Sequence, residues 1–375
     1  MSRTIYLCWL VLFAKLFNGV YSFQMSTKSS TESFSSESRD NNLIFVHVLC
    51  RHGSRNILKP YPNDPYKDLK FWPGGYGELN QIGVQQHFEL GGYIRRRYFG
   101  LFGNEICSPN LIYVRSTDTN RVINSAKANL MNLCNETIPV HVVPHKNDNI
   151  LKRGGKCDRG DYLWKKYKKS SSYLKLFKGH ELLIKYLEKH SGKRRFEIDN
   201  IHSLYDTLWV EQFNGKRLPS WAKRVMVPNG EFEKLAVTKF ITFTPTTELK
   251  MLRSGYLLKE ILDRCKNKTL SELSPDQSQR MYMYFAHDFT VANLLNSLGL
   301  FAEPYQPPFA SCIFFELYNG TNGPYLKIFY RKSADEDELS PLEIPGCGTE
   351  CSLKKWYKIY KDILPTKPFD DACKL

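Results

Sequence analysis

Leu43-Ile44-Phe45-Val46-His47-Val48-Leu49-Cys50 runs directly into Arg51-His52-Gly53-Ser54-Arg55. The first stretch is a short apolar run of the kind that forms a buried strand, and it stops at a cluster of charge. The pattern recurs twice. Leu111-Ile112-Tyr113-Val114 precedes Arg115-Ser116-Thr117-Asp118, and Met281-Tyr282-Met283-Tyr284-Phe285-Ala286 precedes His287-Asp288. Parallel α/β sheets place their ligand sites beyond the carboxyl ends of the strands. Three such strands side by side would bring two histidines, three arginines and a carboxylate into one crevice.

That set suits phosphoryl transfer. The anionic oxygens of a phosphate monoester repel nucleophiles, so a catalyst must neutralise them and protonate the leaving oxygen. Arg51, Arg55 and Arg115 offer planar forks that stay charged and donate paired hydrogen bonds to phosphate. His52 is placed to act as nucleophile, His287 as a further donor to phosphoryl oxygens, and Asp288 as the acid for the leaving alcohol. Taken singly, each motif has a plainer reading. Arg115 to Asp118 could be a helix cap, and His287-Asp288 a buried hydrogen-bonded pair. Their joint occurrence, each after a strand, is what points to chemistry. His47 reads as a packed core histidine.

The 375 residues suffice for one large domain with an insertion. Residues 1–22 read as a signal peptide, with Arg3 ahead of an apolar Ile5–Ala14 stretch and cleavage after Ser22. Residues 23–42 are Ser- and Thr-rich and read as a flexible tail. An α/β core is expected over 43–144 and again over 245–375. Between them, over 145–244, strand signals fade and helical spacing takes over, as in Leu174, Phe177, Leu182, Ile184 and Leu187, which indicates a mostly helical cap. Further helices are expected over 83–99, 119–134 and 246–266. Strands are expected over 140–143, 312–318 and 326–330, the last two forming a hairpin.

Three sequons, at Asn135, Asn267 and Asn319, agree with a secreted, extracellular protein. So do the ten cysteines, of which Cys8 leaves with the signal and nine remain. An odd number leaves one thiol unpaired or bridged to another chain. Cys347 and Cys351 suit a small local loop. No Cys/His cluster has zinc-ligand spacing, so no metal and no cofactor is expected. No further apolar stretch is long enough to span a bilayer, so no stable membrane insertion is expected.

The net charge is +15. It is concentrated between Leu151 and Arg195, where fifteen Lys and Arg face four Asp and Glu. Such a run is often a solvated helix face, but it also sets up a field that attracts anions. Nucleic acid is not expected as a partner, because no binding module is visible.

These motifs resemble the histidine acid phosphatases, the group that includes prostatic, lysosomal and insect venom acid phosphatases. The resemblance spans Leu43 to Cys373. It rests on Arg51–Arg55, on Arg115–Arg121 and on Phe285-Ala286-His287-Asp288. Trp72–Gly77, Leu90–Arg95, Leu218–Ala222 and Pro345-Gly346-Cys347 add to it. It implies a histidine-phosphatase-like three-layer α/β core with a central mixed, mostly parallel sheet and an inserted helical cap. It further implies metal-free hydrolysis of phosphate monoesters through a phosphohistidine on His52. Arg51, Arg55, Arg115 and His287 would hold phosphate, and Asp288 would donate the proton. His-Asp, in place of His-Ala-Glu, resembles the acid phosphatases more than the phytases, and the lack of a C-terminal anchor sets the chain apart from the lysosomal type.

The resemblance also implies Cys157–Cys373 and Cys347–Cys351 disulfides. Relatives are often homodimers, and oligomeric state stays open. Four positions depart from the family pattern. Ile57 replaces a proline that stiffens the loop after Arg55, and Ser54 stands where Asp is frequent. Ile201 falls near a tryptophan on the leaving-group side, which removes the expected basis for aryl preference. Val210 replaces a cysteine whose partner would be Cys312. Two other readings compete with a secreted acid phosphatase: a secreted binder of anionic ligands through the basic cap, and a phosphoglycerate-mutase-like transferase.

Overall fold

The computed structural model describes residues 42–135, 138–151, 157–270, 278–333 and 336–375. The expected signal peptide and most of the tail lie outside these. The described strands and helices follow the chain as β1 (Leu43–Arg51), α1 (Gln81–Phe102), β2 (Ile112–Thr117), α2 (Asn120–Cys134) and β3 (Val140–Val143). A helical insert comes next: α3 (Asp158–Lys168), α4 (Ser171–Leu174), α5 (Glu181–Ser191), α6 (Ile198–Phe213), α7 (Ser220–Val225) and α8 (Glu231–Thr242). The chain returns through α9 (Thr247–Lys250), a π-turn over Met251–Gly255 and α10 (Tyr256–Lys268) to β4 (Met281–Ala286) and α11 (Asp288–Ser297). It ends with β5 (Cys312–Gly320), β6 (Gly323–Arg331), β7 (Cys351–Ser352), α12 (Leu353–Ile359) and α13 (Phe369–Ala372).

The strands form one seven-stranded sheet in the order β3-β2-β4-β1-β5-β6-β7. The four strands from β3 to β1 are parallel, while β5, β6 and β7 are antiparallel. Parallel pairing is thus confined to the half that carries the Arg51, Arg115 and His287 motifs. The sheet as a whole is evenly mixed, because β5 and β6 are joined by a tight turn, which forces antiparallel neighbours.

Alternation along the strands builds three layers. On β1, Phe45 and Leu49 face a core shared with α10, α11 and α12, while Val46, Val48 and Cys50 face a second core under α1 and α2. β4 repeats this, with Tyr284 and Ala286 on the first face and Met281, Met283 and Phe285 on the second. His47 is fully buried on the first face, edge-on to Tyr284 at 4.6 Å. The insert has its own core around Ile198, Ile201, Leu204, Leu208, Phe232 and Leu235, which lets α6 and α8 hold a fixed position above the sheet.

Among the described residues four disulfides tie the fold: Cys50–Cys312, Cys107–Cys134, Cys157–Cys373 and Cys347–Cys351. Cys50 and Cys312 are direct neighbours in the β1–β5 register, so Cys312 is bridged although Val210 offers it no thiol. Cys265 is a buried free thiol. Among the described residues no helix is long and apolar enough to cross a membrane. The sequon asparagines Asn135, Asn267 and Asn319 are exposed.

Candidate active site

β1, β4 and β2 end side by side. The His52 amide donates to the Ala286 carbonyl at 3.0 Å, which sets the β1 terminus beside the β4 terminus. Gly53 then passes so close to Gly83 of α1 that a β-carbon would collide with the Gly83 carbonyl. That contact requires glycine and turns the chain across the top of the sheet. The Gly53 and Ser54 amides are anchored on Ser125 and Gln86 at 3.0 and 2.8 Å, and Ser54 Oγ accepts from Asn80 at 3.1 Å, so Ser54 holds the loop through both backbone and side chain.

His52 is buried, and its Nδ1 lies 2.8 Å from the Gly53 carbonyl. A carbonyl accepts, so Nδ1 carries the proton and Nε2 keeps its lone pair. Burial, followed by the charges of Arg121, Arg51, His287 and Arg55, holds the His52 pKa well below its ordinary value. The ring therefore stays neutral in mildly acidic solution. Its centroid lies 5.6 Å from that of His287.

The cations around it are held by carboxylates. Arg51 donates to Asp288 at 2.8 Å and to the Pro307 carbonyl, and its guanidinium lies 4.3 Å above the Phe309 ring. Arg55 donates to both oxygens of Asp206, each at 2.9 Å. Arg115 donates to the buried Asp148 at 2.7 Å. In the strand register Arg115 is level with Tyr284 and hence with Leu49, two residues deeper than Arg51. Arg121 of α2 reaches the rim instead, 3.5 Å from His287 Nδ1 and 3.3 Å from the Gly77 carbonyl. Burial and its neighbours Arg55 and Arg51 pull the Arg121 pKa down to about 10, so it remains a cation.

His287 caps α11, and its Nε2 lies 3.1 Å from Thr117 Oγ1. Asp288 follows as the first helical residue, where the helix dipole favours negative charge. Burial works to raise the Asp288 pKa, but Arg51, Arg55, His202 and His287 outweigh it and hold it at about 2.

The structure thus gathers His52, His287, Asp288, Arg51 and Arg55, with Arg115 one layer below. Sequence reasoning gave no role to Arg121, although it lies inside the Arg115–Arg121 stretch. It also missed Asp206 and His202 on α6, and Asp148, which sit in segments with no local pattern to mark them. Two departures look different in three dimensions. Ile57 is fully buried with Trp72 and Phe309, and its carbonyl accepts from Gly77 at 2.8 Å, so packing fixes the loop that a proline would have stiffened. Ile201 points into the core of the insert and lines no cavity wall beside His287.

Residues 42–331 match the family model described as histidine phosphatase superfamily, branch 2. The chain is 34% identical to rat (Rattus norvegicus) prostatic acid phosphatase over 339 residues, covering 86% of this chain and 87% of the relative. It is 32% identical to human lysosomal acid phosphatase over 353 residues, covering 90% and 81%. Among solved structures, a Hafnia alvei phytase in complex with tartrate superposes with a TM-score of 0.66 at 18% identity, covering 89% of this chain and 98% of that one.

Proposed function

The chain belongs to the histidine phosphatase superfamily, branch 2, and is an acid phosphatase, a phosphoric monoester hydrolase; from that premise we propose that it hydrolyses its substrates through a phosphohistidine on His52, with Asp288 as proton donor. The observation that carries this reading is the His52 ring: Nδ1–H is committed to the Gly53 carbonyl, and burial among cations keeps Nε2 unprotonated.

In the first half-reaction the Nε2 lone pair forms a bond to phosphorus as the ester P–O bond breaks, and Asp288 supplies a proton to the departing alkoxide. In the second, water attacks phosphorus, Asp288 takes a proton from it, the P–N bond breaks and inorganic phosphate leaves. Arg51, Arg55 and His287 hold the phosphoryl oxygens, Arg121 joins them from α2, and Arg115, expected from sequence as a further ligand, lies two residues deeper on buried Asp148 and supports the site from below. Three of these arginines enter already paired with carboxylates, whereas Arg121 brings a charge whose hydrogen bonds run to His287 and a backbone carbonyl. Secretion is part of the proposal. Its support is the N-terminal sequence pattern together with four disulfides, which persist in oxidising compartments.

Rapid-quench trapping with a labelled monoester near pH 5 tests the mechanism. A base-stable, acid-labile adduct in the wild type, lost in His52→Ala, is the expected result. A folded wild type that turns over without a trappable adduct would remove His52 as nucleophile. A folded wild type without turnover would favour the anion binder.

A further inference from the structure

Asn56 directly follows Arg55 and is only 3% exposed. Both of its amides reach across to a second loop. The backbone amide donates to the Glu78 carbonyl at 3.0 Å. The side-chain amide donates to the carbonyls of Pro73 and Gly75, each at 2.8 Å. The Ile57 carbonyl adds one more link by accepting from the Gly77 amide.

The second loop depends on such links. Over Trp72–Gly77, three glycines, Gly74, Gly75 and Gly77, adopt positive φ. A backbone of that composition has wide conformational freedom, so its position must be set from outside. Its own aromatic side chains anchor it elsewhere, Trp72 Nε1 on the Tyr66 carbonyl at 2.7 Å and the Tyr76 hydroxyl on the Lys67 carbonyl. Neither bond ties it to the loop that carries Arg55.

Each loop steadies one of the proposed phosphate ligands. Arg55 donates to the Asn56 carbonyl at 3.2 Å, and Arg121 donates to the Gly77 carbonyl at 3.3 Å. Each arginine keeps a buried Nε–H that has no partner among the described residues, a donor left for a phosphoryl oxygen. Whatever fixes the spacing of the two loops therefore fixes the spacing of the two guanidinium groups, and a grip on one phosphate is sensitive to that spacing.

We propose that Asn56 is a positioning residue that clamps the two loops together and so sets Arg121 in register with Arg55. Its side-chain donors are spent on Pro73 and Gly75, so it acts through the arginines and not on substrate itself. The assignment rests on the phosphatase reading above and deepens it.

The test is a double-mutant cycle on the binding of inorganic phosphate, read by calorimetry at about pH 5, the acid range in which the enzyme is expected to work. Asn56→Ala is expected to weaken phosphate binding about tenfold in the wild-type background and about threefold or less in Arg121→Ala, where one of the two groups it aligns is gone. KM for a monoester should rise with the phosphate dissociation constant, while kcat changes less. Asn56→Ser keeps one donor and should fall between wild type and Asn56→Ala. A merely structural role predicts the same loss of affinity in both backgrounds, following the loss of thermal stability. That result would overturn the proposal, as would unchanged phosphate affinity in folded Asn56→Ala. Failure of both Asn56 variants to fold would overturn it too, by making the residue one that folding requires. A folded wild type that binds phosphate but hydrolyses no monoester would instead remove the phosphatase reading, and the cycle on phosphate affinity would still decide the clamp.

Discussion

Arg51 donates a hydrogen bond to Asp288 at 2.8 Å, so the proposed proton donor is tied to a proposed phosphate ligand. With the site empty, that pairing leaves Asp288 ionised at the mildly acidic pH where a donor must be protonated. Phosphate arriving among Arg51, Arg55 and Arg121 cancels the charge that depresses the carboxyl pKa. A substrate monoanion also carries a proton of its own, with a second phosphate pKa near 6. Ionised Asp288 plus the monoanion holds the same proton count as protonated Asp288 plus the dianion.

The pH profiles follow from this. Because kcat/KM reports the free enzyme and free substrate, its alkaline limb should fall near pH 6, where the substrate loses its second proton. Its acid limb should not appear until the pH approaches about 2, the value set for Asp288. The alkaline limb of kcat reports Asp288 with phosphate bound and should lie well above that value. Steady-state profiles over pH 2.5–8 check this. An Asp288 limb near pH 4 in kcat/KM would contradict the coupling. Asp288→Asn should lower kcat by about 10²–10⁴ for alkyl esters, the usual range for a lost general acid.

Asp206 is the second prediction. It holds Arg55 through both carboxylate oxygens and also accepts from Gln306 at 3.2 Å. As a positioning residue it should act on binding more than on chemistry. Asp206→Ala is expected to raise KM and the inhibition constant for inorganic phosphate about tenfold, equivalent to about 1.4 kcal/mol, with a smaller change in kcat. Leaving Arg55 buried without its partner should also cost about 3 kcal/mol of stability. A kcat collapse with unchanged phosphate affinity would refute the positioning role.

Why Arg51 to Arg55 could be read from sequence and Asp206 could not has a physical basis. The strand residues announce themselves through apolar runs that end in charge, and the parallel sheet then forces their ends together. Asp206 and His202 lie on a helix of the insert, where helical spacing fixes a buried face but says nothing about which residue meets the site. Local geometry hid other features. The helical spacing through Leu174, Phe177, Leu182, Ile184 and Leu187 does not mark where the helices end, yet Gly179 adopts φ +90° and separates α4 from α5. The expected helix over 246–266 carries a π-turn that ends at Gly255, where a β-carbon would strike the Ile363 carbonyl. That constraint comes from the far end of the chain.

The third prediction concerns a buried acid pair. Glu211 of α6 and Asp64 are both buried, and Glu211 makes no hydrogen bond to its carboxylate oxygens apart from its contact with Asp64. Burial, followed by the charge of Asp64, raises the Glu211 pKa to about 9. The native state keeps a proton that the unfolded chain releases near its ordinary value of about 4.3. Stability from this group is therefore fully present below that value and declines as pH rises toward about 9. Glu211→Gln should remove the decline, leaving stability near pH 4 almost unchanged and raising it at pH 8 by on the order of 2 kcal/mol. Urea melts at the two pH values check it. Equal shifts at both would show that the proton is not retained.

The last prediction is the cysteine inventory. Nine cysteines follow the expected signal peptide, and the structure places eight in bridges. The ninth, Cys265, is buried in α10, and burial pushes its thiol pKa up, so it is short of thiolate as well as of access. A thiol reagent should leave the native protein unlabelled. In denaturant without reductant it should add one group, at Cys265. The alternative is that Cys312, deprived of a partner at Val210, is the free thiol. Its cross-strand neighbour Cys50 argues against that, with Cα atoms 4.2 Å apart on adjoining strands. Peptide mapping of the labelled, non-reduced protein distinguishes the two. A label on Cys312 would mean that β1 and β5 are not bridged beside Arg51, and that hydrogen bonding alone holds the strand end that carries His52.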